Sequence, residues 1–132
     1  MLIHVPLSVG EVLDKITILE IKSERISDLA KLKNIHNELS ELRPLVASEP
    51  FSSDEIQVLF SELKAINEEL WVIEDDIREQ ERNKNFGDVF IALARAVYVT
   101  NDRRADVKKR INLATGSALV EEKSYEDYTG GA

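Results

Sequence analysis

A long amphipathic pattern between residues 53 and 82 constrains the fold of this chain more than any other feature. Apolar side chains recur there at alternating intervals of three and four residues, as Ile56, Leu59, Leu63, Ile66, Leu70, Ile73 and Ile77. This spacing places them on one side of an α-helix of about eight turns. The stripe therefore predicts an all-α fold, because a helix of this kind is stable only when other helices cover its apolar side.

Capping and turn signals divide the rest of the chain into further helices. Ser8, followed three residues later by Glu11, has the form of a capping box that begins a first helix. The β-branched run within it would also suit a strand, but the capping signal and the length of the segment favour a helix. We predict a single-domain four-helix bundle over residues 1–132, whose third and fourth helices form a long antiparallel hairpin. The helices are expected at residues 8–26, 28–43, 53–82 and 88–114, with an acidic tail over residues 117–132.

Composition excludes several classes of function. The chain has no Cys and only two His, so thiol catalysis, disulfides and cysteine zinc sites are ruled out, and we expect no metal site. A net charge of -8 argues against nonspecific nucleic-acid binding. No apolar run approaches the roughly 20 residues of a membrane span, and the start of the chain does not resemble a signal peptide. The expectation is a cytoplasmic protein without a membrane or nucleic-acid partner.

The charges are divided unevenly between the two long helices. Residues 51–82 contain 3 basic and 10 acidic side chains, whereas residues 83–114 contain 7 basic and 3 acidic ones. Antiparallel neighbours with opposite charges would neutralise each other within the fold. The alternative is that the basic segment forms a patch for a phosphate-bearing ligand.

Glu20 is the unusual position of the first helix. On a helical wheel it falls inside the apolar face, between Leu13 and Ile16, while Asp14 lies on a second, mixed side. A partly buried carboxylate must have a partner, because an unpaired buried charge costs several kcal/mol. We expect an ion pair with an Arg or Lys of another helix, and the alternative is a carboxylate that binds a ligand or a metal.

The predicted hairpin brings polar side chains together. If its turn is near residue 84, positions whose numbers sum to about 169 face each other, so Glu74 meets Arg95, Trp71 meets Tyr98, and Asn67 meets Asn101 or Asp102. Such a layer either fixes the helix register through satisfied hydrogen bonds or lines a pocket. The candidate ligand-binding residues are Asp14, Glu20, Asn67, Trp71, Glu74, Arg78, Arg95, Tyr98, Asn101, Asp102 and Arg104.

Two classes of helical enzyme fit poorly. All-helical nucleotide pyrophosphohydrolases hold magnesium with paired ExxE and ExxD motifs, but Glu38 and Glu41 form an ExxE without an ExxD partner. Helical chorismate mutases need several Arg and Lys around a dicarboxylate, whereas the first helix begins with Glu11 and Asp14. No catalytic residue is assigned from the sequence.

Four strings of the sequence resemble a family of uncharacterised helical domains. They are SVGEVLDKITILEIKSERI (8–26), LKAINEELWVIEDDIR (63–78), FIALARAVYVTNDRRADVKKRIN (90–112) and LVEEKSY (119–125). The resemblance implies a bacterial or phage-associated domain, sometimes attached to glycosyltransferase-type proteins. It implies no assigned chemistry.

The leading interpretation is a non-catalytic cytoplasmic interaction or accessory domain that forms a homodimer, because helices of 25 to 30 residues protrude from so small a domain unless something covers them. The alternative is an enzyme or binding module for a phosphorylated metabolite or sugar nucleotide. In that case Arg95, Arg103 and Arg104 would bind phosphate, and Glu20 or Glu74 would act as acid, base or magnesium ligand. No cofactor is expected otherwise.

Overall fold

A computed structural model describes residues 1–129, and within them the chain is helical with no β-strand. The elements are α1 (Val9–Arg25), α2 (Leu29–Leu42), a short 3-10 helix (Arg43–Val46), α3 (Asp54–Arg82) and α4 (Asp88–Thr115). The predicted all-α bundle with a long α3–α4 hairpin is confirmed. The last three positions of the predicted tail, residues 130–132, lie outside the described residues.

The helix ends are set by the caps that the sequence indicated. The side chains of Ser8, Asp28 and Ser53 each accept a hydrogen bond from a backbone N–H three residues later, at the starts of α1, α2 and α3. Gly116 ends α4 in the left-handed region with φ 66°, a conformation that costs glycine little. The capping box of α1 is only half formed, because the Glu11 carboxylate pairs with Lys108 of α4.

Helix α1 is the central element of the bundle and contacts α2, α3 and α4. It runs antiparallel to α4, since its first turn contacts Asn112 and its middle contacts Arg104. The apolar faces of all four helices meet in one core, formed by Leu13, Ile16, Leu19, Ile35, Leu39, Ile56, Leu59, Leu63, Ile66, Val107 and Ile111. Burial of these side chains holds the helices together.

The hairpin extends well beyond α1. Helix α1 ends at Arg25, whose guanidinium carbon lies 5.8 Å from the centre of the Trp71 ring. The 29 residues of α3 span about 43 Å, whereas the 17 residues of α1 span about 25 Å at the usual helical rise. We call residues 72–99, which continue past α1, the distal hairpin.

The register of the hairpin differs from the prediction by three residues. The ion pairs between its helices join Glu69 to Arg103 and Glu62 to Arg110, so facing positions sum to 172 rather than 169. The predicted pair of Glu74 with Arg95 is therefore wrong, and Glu74 pairs with Arg78 on its own helix. The difference arises in the turn between the two helices. The centre of the hairpin lies near residue 86, whereas the prediction placed it near residue 84.

The same shift moves the other predicted facing pairs by three positions, so Trp71 lies opposite residue 101 and Asn67 opposite residue 105, although Asn67 and Asn101 still line a common cleft. Tyr98 instead packs edge-on against Tyr128, with ring centres 5.2 Å apart. Asn67 instead donates hydrogen bonds to two side chains of α1.

The segment after α4 folds back along that helix. Glu121 binds Lys108 at 2.9 Å, and Lys123 forms an ion pair with Asp102 one and a half turns earlier on the helix. The contact of Tyr128 with Tyr98 continues the same antiparallel path. The acidic tail thus lies against the basic side of α4.

Candidate functional site

A buried polar network connects α1, α3 and α4 at the middle of the bundle. The Asp14 side chain is 1% exposed and accepts hydrogen bonds from Nε of Arg104 at 2.9 Å, from Nη2 of the same residue, and from Nδ2 of Asn67 at 2.9 Å. The two-pronged bond from Arg104 outweighs the effect of burial and raises the pKa of that guanidinium. The network joins the three helices at one level of the bundle.

Asn67 has hydrogen-bonding capacity that the network does not use. Its amide nitrogen donates both protons, one to Asp14 and the other to the hydroxyl of Thr17 at 2.8 Å. Its carbonyl oxygen has no hydrogen-bond partner within residues 1–129, although the residue is only 6% exposed. In this part of the chain no fully buried side-chain oxygen or nitrogen lacks a partner, so the Asn67 oxygen reaches an open surface.

That surface is a cleft of about 430 Å³ between α1, α3 and α4, at the base of the distal hairpin. Its volume lies in the range of small-molecule pockets, about 300 to 1,000 Å³. The cleft brings together six of the side chains predicted from the sequence: Asn67, Trp71, Glu74, Arg78, Asn101 and Arg104. Asn67, Trp71, Glu74 and Arg78, which follow one another along one side of α3, thus line an open cleft, and Asn67 also belongs to the buried network.

The charges of the cleft are only partly neutralised. Arg78 donates to Glu74 at 2.6 Å, and Arg104 is held by Asp14. Lys22 of α1 also lines the cleft, and no ion pair of its ammonium group forms within residues 1–129. The cleft therefore contains one cation that is available to an anionic ligand.

The other predicted site residues lie elsewhere. Glu20 pairs with Lys64 at 3.3 Å and with Arg43 at 3.4 Å, which confirms the expected ion pair with another helix. Arg95 is exposed on α4. Tyr98 and Asp102 line a second cleft of about 470 Å³ between α4 and the returning tail, together with Asn101 and Arg104.

Sequence reasoning missed several residues of this region. Lys22, Ile18 and Ile21 line the main cleft, and the proximity of Lys22 to the α3 column depends on a crossing of helices that no local pattern reveals. Lys108, buried at 7% exposure, was also missed. Burial lowers its pKa, but hydrogen bonds to Glu11 and Glu121 outweigh that effect and raise it.

Asp75 is exposed on α3 and lies at the edge of the main cleft. Within residues 1–129 no three His, Cys, Asp or Glu side chains are grouped closely enough to hold a metal ion. No helix in this part of the chain combines the length and apolarity needed to cross a membrane.

Comparison with known proteins gives one match. A model of a family of unknown function, DUF6165, matches residues 3–130, which is nearly the whole chain. No curated protein and no solved structure matches.

Proposed function

The chain belongs to the DUF6165 family of unknown function, and we propose that it is a non-catalytic interaction domain that forms a homodimer through the distal hairpin. The observation that carries this proposal is the apolar stripe of the hairpin, which continues past the end of α1. We extend the proposal to an accessory role in the cytoplasm, beside the bacterial or phage glycosyltransferase-type proteins that the resemblance implies.

The uncovered stripe is visible on both helices of the distal hairpin. Ile73 and Ile77 continue the core stripe of α3, and Leu93 continues that of α4, yet all three remain partly exposed. Val89, one turn earlier on the same face of α4, is 60% exposed. Near the other end of the bundle the same stripes are covered by α1 and α2. Contiguous exposed apolar surface of this kind is typical of a protein interface.

A second copy of the chain fits this surface because the surface is apolar and the charges of its two helices differ in sign. Within the distal hairpin, residues 72–82 carry 5 acidic and 2 basic side chains, whereas residues 83–99 carry 2 basic and 1 acidic ones. In a two-fold symmetric dimer that packs α3 of one copy against α4 of the other, the acidic segment of α3 meets the weakly basic segment of its partner. Arg95, exposed on the distal part of α4, is then placed to pair with an acid of the partner.

The test is the mass in solution, measured by light scattering during size-exclusion chromatography. The natural chain should elute at twice its 15.0 kDa. Val89→Glu places a charge in the proposed interface and should produce a monomer that keeps the helical circular dichroism of the natural protein. Leu113→Glu is the matched control, because Leu113 is 68% exposed at the opposite end of α4. A monomeric natural chain, or a dimer disrupted by Leu113→Glu and unaffected by Val89→Glu, contradicts the proposal.

A further inference from the structure

We propose that the cleft between α1, α3 and α4 binds a phosphorylated sugar. The inference is independent of dimer formation, because all the side chains that carry it belong to one chain. It depends on four features of the cleft: an unused acceptor, neighbouring carboxylates, an unpaired cation and an aromatic ring.

The unused acceptor is the carbonyl oxygen of Asn67. Its side chain cannot rotate freely, because both amide protons are engaged by Asp14 and Thr17 at 2.9 and 2.8 Å. The oxygen is therefore held in place with no partner within residues 1–129. The oxygen reaches the surface of the cleft, so a ligand hydroxyl can donate to it, and an acceptor that is already held in place loses little entropy on binding.

The carboxylates of Glu74 and Asp75 add further acceptors at the same cleft. Glu74 uses one oxygen to bind Arg78, which leaves the other available. A ligand that satisfies several acceptors at once must be rich in hydrogen-bond donors, as a sugar with several hydroxyl groups is.

Lys22 and Arg104 supply the complement for an anionic group. Lys22 lines the cleft and forms no ion pair within residues 1–129, so its charge is open to a phosphate. The Nη1 group of Arg104 has only a long bond of 3.4 Å to Asn101, and it is held rigidly because Asp14 fixes the other side of the guanidinium. A donor held in this way loses little entropy on binding.

Trp71, Ile18 and Leu70 form the apolar part of the lining. Arg25 lies over the indole, 5.8 Å from its centre, and the ring face that Arg25 leaves free would stack on a sugar ring. The indole is also the only Trp of the chain. Its fluorescence therefore reports on the cleft without any label.

The experiment is a titration followed by Trp71 fluorescence and by thermal shift. Glucose 1-phosphate, glucose 6-phosphate and UDP-glucose are the probes, and they distinguish a simple sugar phosphate from a sugar nucleotide. Glucose and inorganic phosphate are the controls. At least one phosphorylated sugar should change the emission and raise the melting temperature, and it should bind more tightly than either control.

Lys22→Gln should weaken that binding about tenfold or more, since a charge-assisted hydrogen bond contributes about 1.5 to 3 kcal/mol. Lys33→Gln makes the same change at an exposed position of α2 and should leave binding unaltered. Circular dichroism checks that both variants are folded. The proposal is overturned if no probe changes either signal at concentrations on the order of 10 mM, if inorganic phosphate binds as tightly as the sugar phosphates, or if Lys22→Gln binds as well as the natural protein.

Discussion

Replacing Asp14 by Asn tests whether the buried network holds the bundle together. The change keeps the shape of the side chain but removes the charge that pairs with Arg104, and it turns an NH₂ group toward donors. Losing one partner of a buried ion pair costs about 3 to 5 kcal/mol. Because the Arg104 side chain is 27% exposed and regains some hydration, we expect a loss near the lower limit, about 3 kcal/mol.

For a domain of 132 residues, that loss corresponds to a melting temperature lower by about 10 °C. Urea unfolding followed by circular dichroism gives the free energy directly, with protein concentration held constant because the proposed dimer makes stability depend on it. Asp76→Asn is the control at an exposed position of α3 and should stay within about 0.5 kcal/mol of the natural protein.

A double-mutant cycle with Arg104→Gln separates the pair from other effects of the substitutions. The two single changes should be strongly non-additive, because each already breaks the same interaction. If Asp14→Asn costs less than about 1 kcal/mol, or if the two changes add independently, the argument that this network holds the bundle together is refuted.

Two further predictions concern the contacts of α4 with its neighbours. Gly10→Ala should destabilise the fold by about 1 to 3 kcal/mol in urea unfolding, because a Cβ there would lie 2.5 Å from the carbonyl oxygen of Lys108. Gly87→Ala is the control, since a Cβ at that position meets nothing within 4 Å and the change should be neutral. Equal effects of the two substitutions would contradict this reasoning. The hydrogen bond from Lys123 lowers the pKa of Asp102 below its ordinary value of 3.8. The stability that this pair contributes is therefore fully present above pH 3.8 and is lost as the pH falls through the lowered pKa. NMR signals of residues 119–128 should then show the tail leaving α4 only under strongly acidic conditions, and unchanged signals down to pH values on the order of 2 would disprove the role of this pair.

The fold was predictable because its determinants are local. Ser8, Ser53 and Gly116 define helix ends by contacts within a few residues, and the apolar stripe of α3 follows directly from its spacing. The hairpin register was not predictable to better than three residues. A turn such as residues 83–87 can join two helices in several ways, and each added residue moves every facing pair.

Part of the candidate site was predictable because, like the helix ends, it depends on local spacing. Asn67, Glu74 and Arg78 belong to one helix, so their common column could be predicted from periodicity alone. Glu20 was correctly predicted to be a partly buried carboxylate in an ion pair, but the role of Asp14 could not be predicted. The wheel gave Asp14 a mixed side of α1, whereas the structure buries it at 1% exposure and leaves Glu20 at 21% with Lys64. Which carboxylate meets the arginine of α4 depends on how α1 is rotated against two helices at once, and that is a property of the assembled bundle.

The first turn of α1 links distant parts of the sequence. The backbone N–H of Gly10 donates to Asn112 at 2.6 Å, and that of Val9 donates to Ser117 at 3.2 Å, across separations of 102 and 108 residues. The beginning of the first helix is thus capped by side chains from the end of the last one. Closing so long a loop costs conformational entropy, and these bonds tie the two ends of the sequence to each other, so α1 and the end of α4 should become ordered, and fray, as a single cooperative unit.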